Sequence, residues 1–128
     1  MTSAIASKEI DQVDRAQTLV TERAQDLARF YRGLGDPTRL RILKLLSSGE
    51  KSVSYLVEQL KSPQGRVSSH LACLRWCGFV VSERRGRSVY YSIIDTRVIS
   101  LLNLGEELFT TAAERIISCQ VLDDGVIN

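Results

Sequence analysis

The sequence has no long apolar run and few cysteines. No stretch approaches the ~18 consecutive apolar residues of a membrane-spanning helix, so neither a transmembrane protein nor a membrane partner is expected. Residues 1–12 lack the apolar core of a secretory signal peptide. The 3 cysteines are an odd number and too few for a disulfide scaffold. These absences predict a cytoplasmic protein whose reduced cysteines are ligands or small buried residues.

Motifs for enzymatic chemistry are also absent. The 128 residues include 1 histidine, and the sequence has neither a Gly-rich phosphate loop nor a nucleophile elbow. An enzyme is therefore not expected. The length suits one domain with a modest core.

Charge is distributed unevenly along the chain, although the formal net charge is only +2. Residues 36–92 hold ten Lys and Arg against four Asp and Glu, a net charge of +6, whereas the flanking segments together carry −4. A basic segment between acidic flanks is typical of a nucleic-acid-binding module.

Hydrophobic periodicity predicts a mainly α fold with a β-hairpin, in the α+β class. The predicted elements are helices at 13–34, 37–46, 53–60, 63–77 and 97–119, and strands at 79–83 and 88–93. Two shorter helices joined by a turn and followed by a hairpin make a winged helix-turn-helix. The long terminal helices have apolar stripes that favour dimerisation. The predicted organisation is a flexible arm at 1–12, the winged domain with its dimerisation helices at 13–119, and a flexible acidic tail at 120–128.

Local signals predict several helix ends. Asp36 is a good N-cap, and Pro37 suits the first helical position. Ser62 is expected to cap the predicted helix at 63–77, ahead of Pro63. Gly78 is expected to end that helix.

Polar side chains gather near the start of this helix, which we name the recognition helix, and at the hairpin tip. Val67, Leu71 and Leu74 share its core-facing side. The candidates for contacts with bases and phosphates on the helix are Gln64, Arg66, Ser68, Ser69 and His70. Those at the tip, for phosphate or minor-groove contacts, are Arg84, Arg85 and Arg87.

Cys73 and Cys77 lie toward the other end of the recognition helix. A spacing of four residues puts them on one helix face, about 5–6 Å apart at Cβ. With Val67 at 0°, they project near ~240° and ~280°, away from the core-facing stripe. Two thiolates so placed can share one soft metal ion. The alternative is an ordinary pair of buried cysteines.

The segment Leu34–Asp95 resembles the ArsR/SmtB family of metal-sensing winged-helix repressors. The resemblance is carried by LGDPTRLRILKLL at 34–46, the V-S-x-H-L pattern at 67–71 and the basic wing SERRGRSVYYSI at 82–93. The cysteines of HLACLRWCG are similar to those of the cadmium- and lead-sensing branch typified by CmtR. This branch implies a third ligand at Cys119, supplied by the other protomer of a dimer.

The expected function is a homodimeric repressor that binds an inverted-repeat operator without metal and releases this double-stranded DNA when metal binds. Three thiolates with no obvious fourth ligand suit Cd(II), Pb(II) or Hg(II) as the effector. Two alternatives stay open: a repressor whose thiols sense oxidants, and a winged-helix module whose cysteines are inert.

Overall fold

The computed structural model describes the backbone of residues 2–123 and the side chains of residues 12, 14–113, 115 and 117. Helices dominate this part of the chain, and a small antiparallel sheet completes it. The elements in chain order are α1 (Thr2–Leu34), α2 (Pro37–Leu46), β1 (Lys51–Ser52), α3 (Val53–Leu60), α4 (Gln64–Trp76), β2 (Val80–Arg85), β3 (Ser88–Ile93) and α5 (Thr96–Asp123). The predicted fold class, mainly α with a β-hairpin wing, is confirmed.

The first helix is longer than predicted. It begins at Thr2 rather than at Val13, so residues 2–12, predicted as part of a flexible arm, are helical. This segment contains neither Gly nor Pro. Because extending an existing helix adds one hydrogen bond per residue fixed, α1 continues beyond its amphipathic part.

The last helix also exceeds its predicted bounds. It begins at Thr96 and runs to Asp123, past the predicted end at Cys119. Residues 120–123, predicted as part of a flexible tail, are therefore helical, and they too lack Gly and Pro. The remainder of that predicted tail, residues 124–128, lies outside the described residues.

Local caps fix the start of α2 and the end of α4. The Asp36 carboxylate accepts the backbone N–H of Arg39 at 3.0 Å, which confirms the predicted N-cap. At the end of α4, Gly78 adopts a φ of +85° and its N–H donates to Arg75 O. The N–H of Phe79 donates to Leu74 O, and this pair of bonds is a Schellman motif. The motif turns the chain directly from α4 into the wing.

The start of α4 differs from the prediction. Pro63 occupies the N-cap position, where the helix has no side-chain cap. The Ser62 hydroxyl instead donates to Leu60 O at 3.4 Å. The predicted cap by Ser62 is wrong. A capping side chain must belong to the residue that directly flanks the helix, and that residue is Pro63.

The sheet has the strand order β1-β3-β2, with both pairs antiparallel. The prediction for β3 is confirmed at both ends, whereas β2 is shifted from 79–83 to Val80–Arg85. The reason is a tighter hairpin: Arg85 pairs with Ser88, which leaves only Gly86 and Arg87 in the turn. The two-residue strand β1 was not predicted, because a segment this short has no alternating pattern.

The core lies between the helix-turn-helix and the wing. Its buried residues are Ile42, Leu43, Leu46, Leu56, Leu60, Val67, Leu71, Leu74, Phe79, Val80 and Val98. Leu40 is 42% exposed, because the buried stripe of α2 lies on the side of Ile42 and Leu43. None of the helices within the described residues is long and apolar enough to cross a membrane.

Candidate nucleic-acid interface and metal site

The outer face of α4 presents most of the predicted DNA-reading side chains to solvent. Its opposite face is anchored in the core by Val67, Leu71 and Leu74. The Ser69 hydroxyl donates to Gly65 O at 3.0 Å and so keeps its oxygen available as an acceptor. We define the reading group as the exposed side chains Gln64, Arg66, Ser68 and Ser69.

His70 is oriented differently from the reading group. Its side chain is only 19% exposed, and its Nδ1 lies 3.3 Å from Nη1 of Arg39 on α2. A guanidinium can only donate, so this contact is a hydrogen bond in the tautomer whose Nδ1 is the acceptor. Nδ1 also lies 3.8 Å from the Asp36 carboxylate. The structure thus places His70 at the junction of α4 with α2.

The wing arginines are exposed but not equivalent. Arg85 donates to the carboxylates of Glu50 and Glu83, whereas Arg84 and Arg87 form no ion pair with any described residue. A guanidinium already paired with carboxylates is less available to a phosphate than an unpaired one. Arg84 and Arg87 are therefore better placed for DNA than Arg85.

Cys73 and Cys77 lie together at the C-terminal end of α4. Both are reduced and half-buried, and Cys77 is the C-cap residue. Cys77 packs against the core and against the last turn of α1. A Cβ atom added to Gly33 would lie 3.1 Å from the Cys77 Sγ. The thiol is therefore in close contact with the end of another helix.

The surroundings of Cys77 oppose formation of its thiolate. Burial raises the pKa of this thiol, and the adjacent Cys73 raises it further through its charge and a hydrogen bond. The nearby positive charge of Arg39 acts in the opposite direction. A divalent cation between the two sulfur atoms would reverse this balance, because it replaces protons as the neutralising charge.

Two of the three predicted metal ligands are brought together by the structure. Cys119 lies on the helical backbone of α5, but its side chain is outside the described residues. Among the side chains that are described, no three His, Cys, Asp or Glu residues converge as a metal site. The pair at 73 and 77 accounts for two of the three predicted thiolates, and the predicted role of Cys119 stays a prediction.

The sequence reasoning missed Arg39, Gly33 and Glu50. Arg39 lies within the 34–46 motif, yet its contact with His70 spans 31 residues of sequence. The ion pair of Glu50 with Arg85 spans 35 residues. Gly33 precedes the 34–46 motif and belongs to no motif of its own. No local pattern could have identified these partners.

Comparison with known proteins finds bacterial regulators. The family model described as "Bacterial regulatory protein, arsR family" matches residues 36–82. A probable mercury resistance operon repressor from Streptomyces lividans is 41% identical over 92 residues, which cover 72% of this chain and 74% of the relative. The transcriptional regulator CmtR of Mycobacterium tuberculosis is 42% identical over 80 residues, covering 62% of this chain and 68% of CmtR.

A solved structure shows the same architecture. The homodimeric winged helix-turn-helix DNA-binding domain of a possible ArsR-family transcriptional regulator from Mycobacterium bovis superimposes with a TM-score of 0.64. The two are 28% identical, and the match covers 69% of this chain and 82% of that domain.

Proposed function

Since this chain belongs to the ArsR family of bacterial regulatory proteins, which are DNA-binding transcriptional regulators and not enzymes, we propose that it is a cytoplasmic, metal-responsive repressor. It binds operator DNA as a homodimer and releases it when a thiophilic ion binds its cysteine thiolates. The observation that carries this proposal is the half-buried pair Cys73 and Cys77 on the same helix as the reading group.

The DNA is bound through α4 and the wing. The reading group lies at the N-terminal end of α4, the end that enters the major groove in helix-turn-helix proteins. Arg66, Arg84 and Arg87 supply phosphate contacts, and Gln64 and the serines approach the bases. Two-fold symmetry of a dimer requires an inverted-repeat operator with half-sites about one helical turn apart.

The dimer is formed by the two long helices. Their exposed apolar side chains are Leu19, Val20, Leu27 and Tyr31 on α1 and Leu104, Leu108, Phe109 and Ile117 on α5. Such a large apolar area marks an interaction surface. The similarity to a homodimeric winged domain supports a second copy of this chain as its occupant.

The effector is a soft divalent ion. Cys73 and Cys77 supply two thiolates, and Cys119, provided by the other protomer as the family resemblance implies, supplies the third. Sulfur-rich sites with few ligands suit Cd(II), Pb(II) and Hg(II) better than zinc, which prefers four ligands. The names of a mercury resistance repressor and a cadmium resistance regulator among the relatives support ions of this class.

Metal binding changes DNA affinity through geometry. A bond from the recognition helix of one protomer to α5 of the other fixes the spacing and tilt of the two reading groups. If that geometry mismatches the operator, metal weakens DNA binding, and DNA weakens metal binding by the same factor. A coupling of this kind is typically about 1–3 kcal/mol.

The experiment is a titration of the reduced protein, bound to its own fluorescently labelled promoter DNA, with Cd(II), Pb(II) and Hg(II). We expect loss of anisotropy together with thiolate-to-metal absorption in the ultraviolet. Release by oxidant under metal-free conditions, reversed by reductant, would establish the redox alternative. If neither metal nor oxidant releases the DNA, the cysteines are inert and the protein is a regulator without a thiol-based response.

A further inference from the structure

Arg39 joins three helices through one side chain. It lies in the first turn of α2 and is partly buried. Its Nε donates to Gly33 O at 2.7 Å, and its Nη2 donates to Arg32 O at 3.0 Å. These carbonyls belong to the last turn of α1, and the Arg32 carbonyl also accepts the backbone N–H of Gly35 at 3.0 Å. The remaining amino group, Nη1, lies 3.3 Å from Nδ1 of His70 on α4.

The same turn of α1 is packed against Cys77. Gly33 is buried, and a Cβ atom there would lie 3.0 Å from Phe79 Cε2 and 3.1 Å from Cys77 Sγ. Contacts this short leave no space for a methyl group. The absence of a side chain at Gly33 therefore lets α1 lie against Cys77, and the carbonyl of this glycine accepts from Arg39.

The two contacts engage α4 at different points along its length. Cys77 meets α1 at the C-terminal end of α4, and His70 meets Arg39 about two turns earlier. A helix behaves as a rigid rod over this distance. A displacement at its C-terminal end changes the tilt of the reading group only if another point on the helix is held. The core residues of α4 hold it against the rest of the domain, and the Arg39 to His70 contact is the fixed point that links α4 to the last turn of α1.

We infer that Arg39 is the positioning residue that converts metal binding at Cys73 and Cys77 into movement of the reading group relative to α1. This inference rests on the proposed function. If the thiolates of Cys73 and Cys77 held one shared ion, both side chains would have to turn toward a common position. That turn changes the contact with Gly33, and the planar guanidinium, which binds Gly33 and His70 together, transmits the change.

Arg39→Gln tests the inference, with Arg41→Gln as its control. Arg41 is an exposed arginine on the same helix, with no hydrogen bond or ion pair to a described residue. Three quantities are measured for each protein: metal affinity, DNA affinity without metal, and the factor by which metal weakens DNA binding. Metal affinity is followed by thiolate absorption and by fluorescence of Trp76, the only tryptophan, which neighbours Cys77 and is 92% exposed.

In the Arg39→Gln variant we expect metal-free DNA affinity to match the wild type, and metal affinity to fall because the positive charge that favours the Cys77 thiolate is lost. The weakening factor should fall from the range of about 5–150-fold that is typical of such coupling to near one. The reciprocal effect of DNA on metal affinity should disappear as well. Arg39→Lys, which keeps the charge but not the planar fork, should recover only part of the coupling. The Arg41→Gln control should couple like the wild type.

Wild-type coupling in Arg39→Gln would overturn the inference. If Arg39→Gln fails to fold, His70→Phe removes the contact on α4 and leaves the two bonds from Arg39 to α1. The factor by which metal weakens DNA binding is then measured for His70→Phe, and a wild-type value there would also overturn the inference. A wild-type protein that binds metal and shows no coupling would instead contradict the proposed function, so the two failures are distinguishable.

Discussion

Arg85 and Glu50 form a two-point ion pair that ties the wing to the residue preceding β1. Nη1 and Nη2 of Arg85 donate to the two carboxylate oxygens of Glu50 at 2.5 and 2.9 Å. Nη2 also donates to Glu83 at 2.9 Å, and the guanidinium lies 4.7 Å from the ring centroid of Tyr90. These contacts favour one orientation of the wing and occupy the donors of this arginine.

Arg85 is paired with carboxylates and Arg87 is not, so changes at these positions are predicted to alter the salt dependence of DNA binding differently. We expect Arg87→Ala to weaken binding to all DNA sequences and to reduce the slope of log affinity against log salt by about 0.9 per lost phosphate contact. Glu50→Gln should have the opposite effect, because it weakens the competing ion pair and leaves Arg85 available to a phosphate. Fluorescence anisotropy over a series of salt concentrations measures both slopes. Unchanged slopes in both variants would show that the wing does not contact DNA.

Replacement of the cysteines separates metal sensing from DNA binding. Cys73→Ser and Cys77→Ser should each abolish metal-driven release, since either change leaves too few thiolates on α4, while metal-free operator binding survives. Cys119→Ser should at least weaken the response. Release of DNA by both α4 variants at the metal concentrations that act on the wild type would contradict the thiolate mechanism.

The raised pKa of the Cys77 thiol predicts a pH-dependent metal affinity. A thiol with a raised pKa keeps its proton to higher pH, and the metal must displace that proton. Apparent affinity should therefore fall as the pH falls, by about tenfold per pH unit for each proton displaced. Competition titrations with a chelator of known affinity at several pH values measure the slope. In Cys77→Ser, metal affinity should depend less steeply on pH, because the proton of this thiol is no longer displaced. A pH dependence identical to that of the wild type would exclude Cys77 as a ligand.

The exposed apolar faces of α1 and α5 predict an obligatory assembly. The wild type should sediment as a dimer at micromolar concentration, with a buried interface well above about 1,000 Å². Leu108→Glu should shift the equilibrium toward monomer, because it places a charge in a desolvated apolar contact. Leu108 is 64% exposed within one chain, so the same change costs a folded monomer little. Asn103→Glu introduces the same charge at an exposed position of the same helix, about 140° around the helix axis from Leu108, and is the control. A wild-type monomer at this concentration would contradict the assembly.

Local features of the fold could be predicted because each depends on residues close together in sequence. Asp36 and Pro37 define the start of α2 through one side-chain bond and one fixed dihedral angle. Gly78 ends α4 because its positive φ is unfavourable for other residues. The four-residue spacing of Cys73 and Cys77 places both thiols on one helix face, as helical geometry requires.

Contacts between distant segments were decided only by the tertiary structure. No periodicity indicates that Arg39 would bind His70, that Glu50 would bind Arg85, or that Lys51 would pair with Tyr91. An arginine on a helix has the same local pattern whether it lies in solvent or bridges three helices. Its partners depend on how α1, α2 and α4 pack around the shared core, and that packing also sets which reading, wing and thiol groups remain accessible.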